Sequence, residues 1–373
     1  MPDYQYPGVY VEETDSGMHP IEGVATSIVG FVGFARDGPP TPTPISSFAE
    51  YAEKFGGFAP NAFLAHAVQG FFHNGGTRCY ILRLPPEFQR SKLNSFSSAA
   101  SLLAPLDSLD DVSIVCCPDE HAAKGMTAAL VAHCEQRRDR IAILAAPVNG
   151  DLSSDPPTEA QSSFASYYAP WLLIADPAGG AALAVHPGGH IAGAMVRSGM
   201  ERGVWQAPAN LQILGILGLE RQITSSQQAT LNQRGVNVLR SFPGRGNLIW
   251  GARTTSQDPE WKYINIRRYL IYLEQSIDQG LQWVVFEPNG PTLWSNVQQA
   301  IGNFLFNEFR SGALQGSSAK DAYFVRCDAS TMTQNDLDNG RLVCSIGVAA
   351  LRPAEFIVFR IGKFTAGATP PSS

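Results

Sequence analysis

The chain has 373 residues, of which 44% are hydrophobic and 16% are charged, so it can bury a large core and is expected to form about two domains. No apolar run approaches the ~18 residues that span a bilayer, and the N-terminus lacks the basic and apolar regions of a signal peptide. These properties exclude a disordered chain and predict no direct membrane insertion; we expect a globular protein made and folded in a cytoplasm.

The net charge of −6 is distributed unevenly along the chain. Residues 1–200 carry a net charge of −9, whereas residues 201–373 carry +3. The first 24 residues contain five acids and no Lys or Arg, while the last 23 contain three basic residues and one acid. The two ends are therefore electrostatically complementary, but so modest a charge predicts no nucleic-acid-binding surface.

The stretch YPGVYVEE, residues 6–13, has the alternating pattern of a half-buried strand behind a Pro-Gly turn. Its neighbours in the sequence offer no strand to pair with, because the next apolar run begins only near Ile28. That next run, residues 27–35, predicts a buried strand followed by a proline-rich surface loop.

The following segments alternate between strands and helices, which predicts an α/β layer with a largely parallel sheet. The predicted strands are residues 77–84, 112–117, 141–146 and 171–175, and the predicted helices are residues 61–73 and 120–137. Segments rich in Ser, Asp and Pro, residues 90–101 and 149–163, are expected to be exposed loops.

A second block begins near residue 201. Asp258 and Pro259 are typical of a helix start, and an apolar stripe follows at Ile266, Leu270, Leu273 and Ile277. The stretch LQWVVFEP, residues 281–288, predicts a buried strand, and an amphipathic helix from Leu293 ends at Gly312. Strands at 322–327 and 342–349 are expected to pair across the turn DLDNG, and a last apolar strand covers 355–361. The fold class is therefore mixed α/β.

Six cysteines are sparse and form no matched CxxC pairs, so free core thiols are favoured over disulfides or a zinc site. They are Cys79, Cys116, Cys117, Cys134, Cys327 and Cys344. The sequence predicts neither a cofactor nor a metal.

Candidate catalytic and binding motifs are weak throughout the chain. Ser317 to Lys320 matches S-x-x-K without its partner motifs, and Gly30 with Gly33 does not form G-x-G-x-x-G. The stretch HPGGH, His186 to His190, has the histidine spacing of a zinc helix but lacks its glutamate, and DLDNGR departs from a calcium loop. The paired acids Asp110-Asp111 and Asp119-Glu120 suggest solvated surface or helix N-terminal charge, and no catalytic residue is predicted.

Strand-like segments lie at both ends of the chain, outside the two compact blocks. An edge strand outside its own domain is an aggregation hazard unless it joins another chain. Two such strands of opposite charge favour strand exchange between copies of the chain. If head-to-tail exchange does not close into a ring, it produces a helical filament or tube.

The sequence resembles the contractile tail sheath proteins of myophages, R-type pyocins and extracellular contractile injection systems, and looks like a minimal-length member. The similarity covers nearly the whole chain. It includes PGVYVEE, HPGGHIAGAMVRSGMERGVWQAPAN, GARTTSQDPEWKYINIRRYLIYLEQSID, IGNFLFNEFRSGAL and DLDNGRLVCSIGVAALRPAEFIVFRI.

The resemblance implies a structural subunit that polymerises helically around an inner tube, in stacked six-fold rings. It also implies that contraction of these rings drives the tube through a target envelope. It implies an N-terminal arm (1–24), an outer α/β domain (25–200), an inner C-terminal domain facing the tube (201–350) and a C-terminal arm (351–373). Exchanged strands would contain Val9, Tyr10 and Val11 in one arm and Ile357, Val358 and Phe359 in the other. The recipient strands would lie among the pair predicted at 322–327 and 342–349.

The family's inner domain faces a tube that is often acidic, so the resemblance also implies tube-facing basic residues. These are Lys262, Arg267, Arg268 and Arg310, whereas Gln298 and Gln299 stand where similar sequences often carry basic residues. The implied partners are the sheath protein itself, the inner tube, baseplate and terminator proteins, and sheath paralogues, in a particle assembled in a bacterial cytoplasm. The alternative is a soluble α/β enzyme or ligand-binding protein whose ends are merely floppy.

Overall fold

A computed structural model describes residues 19–85, 96–122 and 125–356 of the chain. Its strands are β1 Val29–Gly33, β2 Thr43–Ile45, β3 Cys79–Arg83, β4 Ile114–Cys116, β5 Ile141–Ala145, β6 Ala165–Ala169, β7 Leu172–Ile174, β8 Leu183–Val185, β9 Leu211–Gln212, β10 Gly218–Leu219, β11 Val236–Phe242, β12 Gly246–Trp250, β13 Tyr323–Arg326 and β14 Ser345–Val348. Its helices are α1 Phe48–Phe55, α2 Leu64–His73, α3 Phe96–Leu103, α4 Met126–Arg137, α5 Gly188–Arg202, α6 Ser225–Gln233, α7 Ile264–Gly280, α8 Pro291–Arg310, α9 Ala319–Ala322 and α10 Gln334–Asp338.

The main sheet has nine strands in the order β2-β3-β1-β4-β5-β6-β11-β12-β9. The six strands from β3 to β11 pair in parallel, and antiparallel strands close both edges. Every residue of β1, β5 and β6 is buried, because the helix pairs α2 with α5 and α3 with α4 pack against the sheet. The predicted α/β class with a largely parallel sheet is confirmed.

A second hydrophobic core lies between α7, α8 and the antiparallel pair β13–β14. The helix α7 belongs to both cores: Ile264 and Ile271 pack with the main sheet, while Tyr269 and Leu273 pack with α8. Glu308 of α8 accepts hydrogen bonds from the hydroxyls of Tyr269 and Tyr272 at 3.1 and 3.0 Å, which fixes the two helices against each other.

The main sheet extends beyond the domain boundary that we expected after residue 200. Helix α5 crosses that position, and β9, β11 and β12 all belong to the main sheet. The second core takes most of its side chains from α7 onward, together with Ile21 and Val204. The α/β part therefore reaches to about residue 250, because pairing with β6 outweighs the change in composition near residue 201.

Two predicted segments differ from the structure. The strand expected at 281–288 is instead a 3-10 turn, Gln282–Val284, followed by Val285 and a fully exposed Phe286 whose φ of 72° is incompatible with a strand. Its apolar side chains lie at the surface of the second domain and not in a sheet. Residues 96–101, expected to be loop, begin α3, because Ala99 and Leu103 are buried in the main core.

The acids Asp119 and Glu120, which we expected at the surface or at a helix N-terminus, are buried beyond the carboxyl end of β4. Asp119 accepts backbone hydrogen bonds from Phe34 at 2.9 Å and Phe63 at 2.8 Å, and burial raises its pKa to about 6. Glu120 accepts hydrogen bonds from the Ala145 backbone and from His186. Both carboxylates therefore tie loops together at the sheet edge where α/β folds commonly bind ligands.

The stretch HPGGH forms the start of α5, and its glycines allow α5 to cross α2 closely. Gly189 lies directly against the backbone of Ala67, so that a Cβ added at Gly189 would overlap the Ala67 carbonyl oxygen. Gly193 contacts the backbone of Phe71 in the same way. The pattern that suggested a metal site therefore serves helix packing.

We expect Gly189→Ala to reduce the free energy of unfolding by about 1–3 kcal/mol, because a methyl group cannot fit against the α2 backbone. Gly199→Ala is the matched control on the same helix, where an added Cβ meets no atom within 4 Å. It should leave stability unchanged or raise it by up to about 1 kcal/mol. Urea unfolding of both variants measures the difference, and equal stability of the two would contradict the close crossing.

Candidate assembly site

The pair β13–β14, called here the C-terminal hairpin, has two unpaired edges in the described part of the chain. Its pairing confirms the two strands predicted around DLDNG, although the connection contains the short helix α10. Tyr323 donates from its hydroxyl to the Gly302 carbonyl of α8, so the inner face of the hairpin is fixed on that helix. Outer residues such as Phe324, 51% exposed, remain at the surface.

An apolar groove of about 570 Å³ runs along the unpaired edge of β14. It is lined by α7, by the turn after it and by the hairpin, with Leu270, Leu273, Ile277, Leu281, Val284, Ile346 and Val348 among its walls. Three residues of the apolar stripe predicted on α7, Leu270, Leu273 and Ile277, thus face this groove. The stripe is only partly covered by the described chain, which is unusual for so apolar a helix face.

The N-terminal root, residues 19–28, lies along α7. His19 stacks on Trp283 with 4.4 Å between ring centroids, and Ile21 is buried in the second core. The Val24 backbone donates to Ser276 at 3.1 Å, and Arg268 donates to the Thr26 carbonyl at 3.0 Å. The described chain therefore begins at the carboxyl end of α7, beside the groove.

The C-terminal root, residues 351–356, is fixed at the opposite end of α7. Asn265 donates to the Leu351 carbonyl at 3.0 Å. Glu355 accepts two hydrogen bonds from the Arg253 guanidinium, at 2.7 and 2.6 Å, and another from the Tyr263 hydroxyl at 3.2 Å. Side chains of Arg253 and Glu355 are only 9% and 20% exposed, so solvent screens this pair weakly.

The charge of Glu355 is stabilised by its partners. Burial alone would raise its pKa, but hydrogen bonds from Arg253 and Asn232 and the charges of Arg253 and Lys262 outweigh burial. The pKa of Glu355 therefore lies below its ordinary value. Sequence reasoning missed this residue; its only signal was an isolated acid at the start of the apolar run EFIVFRI.

Arg267 and Arg268, predicted to face a tube, are each 4% exposed and are enclosed by their own chain, so that prediction is wrong for both. The Arg267 guanidinium lies between two rings, 3.6 Å from the Trp261 centroid and 4.1 Å from the Phe164 centroid. Burial lowers the pKa of both arginines to about 10. They join α7 to the main domain and to the N-terminal root.

The other predicted site residues fall into two groups. Lys262 is partly exposed and pairs with Glu355 at 3.5 Å, and Arg310 is exposed at the end of α8. The predicted exchange residues lie outside the described part of the chain, and the structure does not describe Val9, Tyr10, Val11, Ile357, Val358 or Phe359.

The weak catalytic and metal motifs are not brought together. His186 contacts Glu120 at 3.1 Å, whereas His190 packs against Gly70 of α2. The Ser317 hydroxyl donates to Asp321 at 2.9 Å, at the start of α9. Within residues 19–85, 96–122 and 125–356, no cluster of His, Cys, Asp or Glu could hold a metal ion, and no helix is long and apolar enough to cross a membrane.

Comparisons with known proteins agree with this arrangement. Residues 97–255 match the phage tail sheath protein central domain, and residues 256–362 match the phage tail sheath C-terminal domain. The boundary between the two matches lies close to the end of the main sheet. The chain belongs to the contractile tail sheath family.

Solved sheaths resemble this one along its length. The anti-feeding prophage helical sheath in its contracted state is 34% identical, with a TM-score of 0.82 over 96% of this chain and 99% of that one. The contracted sheath of the extracellular contractile injection system PVC is 29% identical, with a TM-score of 0.79 over 97% and 98%. A prophage major tail sheath protein of Pseudomonas aeruginosa is 23% identical over 95% of both chains. The chain is therefore a structural subunit of a contractile sheath, and the alternative of a soluble enzyme or ligand-binding protein is not supported.

We expect Glu355→Gln to loosen the C-terminal root of the sheath subunit at a cost of about 2–3 kcal/mol, because Arg253 loses a charged hydrogen-bond partner. Since the folded pKa is depressed, the pair stabilises fully at neutral pH, and this stabilisation is lost as the pH falls through the folded pKa. Hydrogen exchange of residues 351–356 should therefore rise in the variant at neutral pH and in the parent only on acidification.

Glu260→Gln is the control. It removes the same charge from an exposed residue near the same site. Equal exchange in the Glu260 and Glu355 variants would contradict a specific role for the Glu355–Arg253 pair.

Proposed function

We propose that this sheath subunit polymerises by lending its two terminal segments to the C-terminal hairpins of neighbouring subunits. The observation that carries this proposal is the edge of β14, which no strand of the described residues covers, beside an apolar groove. A strand added to such an edge gains main-chain hydrogen bonds, while pockets on one side select alternate side chains. In the strand that the sequence predicts, Val9 and Val11 would share one face and would match the aliphatic lining of the groove.

Within the described chain each hairpin has two unpaired edges. In the proposed exchange, each edge accepts one terminal segment, so the number of edges matches the number of segments. The N-terminal arm carries five acids and no basic residue, while residues 201–373 are net positive, so attraction favours its capture by a neighbouring C-terminal domain. The contacts of the two roots place the origins of these segments at opposite ends of α7. A subunit anchored in this way transmits tension from one neighbour to the next.

We further propose that α8 faces an inner tube through its exposed side. That side is mostly polar, with Gln298, Gln299, Asn303 and Asn307, but it also exposes Phe306, and it ends in Arg310. Arg310 is the predicted tube-facing residue that stays exposed without an ion pair among the described residues. Attachment to the tube would then rest on hydrogen bonds, the apolar ring of Phe306 and one positive charge.

The wider assignment follows from family membership. We propose that the subunit forms stacked rings, contacts baseplate and terminator proteins, and assembles in a bacterial cytoplasm as part of a phage tail or tail-like particle. Its role is structural and requires no cofactor. The buried carboxylates Asp119 and Glu120 agree with this role, because both accept backbone hydrogen bonds that hold loops together.

Deletion of residues 1–18 should abolish sheath formation without unfolding the subunit, because His19 and Ile21 still anchor the root. Electron microscopy of the protein expressed with its neighbours measures assembly, and thermal unfolding measures the fold. Ile346→Lys, inside the groove, should also block assembly. Ser345→Lys adds the same charge outside the groove and should be tolerated. Normal tubes from the deletion variant would overturn strand exchange by the N-terminal arm.

Arg310→Glu should weaken attachment to the tube while leaving strand exchange intact, because the added negative charge opposes an acidic surface. The expected result is sheath that assembles in lower yield on tubes but forms normal empty polymers. Lys320→Glu, which reverses a charge elsewhere in the C-terminal domain, is the control. Equal co-sedimentation of tube with both variants would contradict a tube contact at Arg310.

A further inference from the structure

Two of the six cysteines face each other at the end of the C-terminal hairpin. In its ladder, Tyr323 opposes Val348 and Arg326 opposes Ser345. One step further, the same register places Cys327 opposite Cys344. The two thiol groups are close enough to influence each other's pKa, and both side chains pack toward the second core.

The alternation of hydrogen bonds along the ladder defines the geometry at this pair. The Ala349 backbone donates to the Ala322 carbonyl, so residues 322 and 349 form a hydrogen-bonded pair. Counting along the register makes Cys327 and Cys344 a non-hydrogen-bonded pair, where opposite Cα atoms are about 4.5 Å apart. This separation falls inside the range of about 4.4–6.8 Å that a disulfide requires.

We propose that Cys327 and Cys344 are a redox modification site that closes to a cross-strand disulfide and locks the C-terminal hairpin. The other four cysteines are fully buried, whereas Cys344 is partly exposed and can meet an oxidant. Closure would join the two strands covalently around the segment 328–343. Formation of the disulfide does not depend on the proposed function. Its mechanical consequence, a hairpin that resists pulling by exchanged strands, rests on that function.

The reaction balances with a low-molecular-weight disulfide as oxidant. The Cys344 thiolate attacks one sulfur of the oxidant, forming a mixed disulfide and releasing one thiol. Cys327, 2% exposed, then attacks the Cys344 sulfur from inside and releases the second thiol, so the oxidant gains the two electrons that the cysteines lose. Burial raises the pKa of both thiols, that of Cys344 to about 12, so closure should be slow at neutral pH and faster as pH rises.

The test uses the full-length subunit incubated with oxidised glutathione at pH 8.5, about the pKa of an ordinary thiol. Tryptic mapping without reductant should find the peptide 327–341 joined to the peptide that begins at Leu342. Each of these peptides contains one cysteine, so the linkage is unambiguous. The four buried cysteines should stay free in the same digest and serve as the internal control.

Cys344→Ser should leave five free thiols after oxidation and remove the gain in denaturant resistance that oxidation gives the parent; Cys344→Ala repeats the comparison if the serine variant folds poorly. Six free thiols in the oxidised parent, or linkage of other cysteines or between chains, would overturn the proposal. Because the linkage is mapped on the unassembled subunit, failure of strand exchange would not affect this result.

Discussion

The contacts of α7 are the constraint on which the rest of the structure depends. This one helix packs Ile264 and Ile271 into the main core and Tyr269 and Leu273 into the second. It also holds the N-terminal root near its carboxyl end and the C-terminal root near its amino end. The two anchoring residues, Ser276 and Asn265, are 11 positions apart and therefore about 17 Å apart along the helix axis. Buried Arg267 and Arg268 serve this junction, since their guanidinium groups contact aromatic rings and the root backbone.

In the proposed assembly, the position of α7 couples the folding of the subunit to polymerisation. A two-stranded hairpin is marginally stable by itself in water, and a third strand or a helix underneath is needed for independent stability. The C-terminal hairpin has α8 beneath it but leaves the edge of β14 and the groove uncovered in the described chain. In the proposed assembly, the strand that completes this sheet comes from a neighbour, so each subunit gains stability as the polymer grows.

The sequence predicts the main sheet well, because runs such as IAILA can be buried only in a sheet covered on both faces. It fails where an apolar run lies outside a core: QWVVF has the composition of a strand but forms the rim of a groove. It also fails for charged residues. Charged residues are normally expected at the surface, but four of them are buried here: Arg267, Arg268, Asp119 and Glu120. Only the tertiary fold supplies the aromatic rings and backbone groups that make their burial tolerable. The pair Glu355–Arg253 joins residues 102 apart and leaves no local signal.

Failed predictions and the proposed function point to the same part of the molecule. A domain that folded alone would bury Leu270, Ile277 and Val284 and would not need Arg253 to fix Glu355, which starts the last strand predicted from the sequence. The subunit instead uses buried charges to fix the two roots, and its described residues leave an apolar groove open between them. Fixing the roots costs conformational entropy once, during folding. In the proposed assembly, the terminal segments would therefore start from defined positions when a neighbour captures them. This preorganisation favours exchange with an adjacent subunit over random cross-linking, because the reach of each segment is limited by where its root is held.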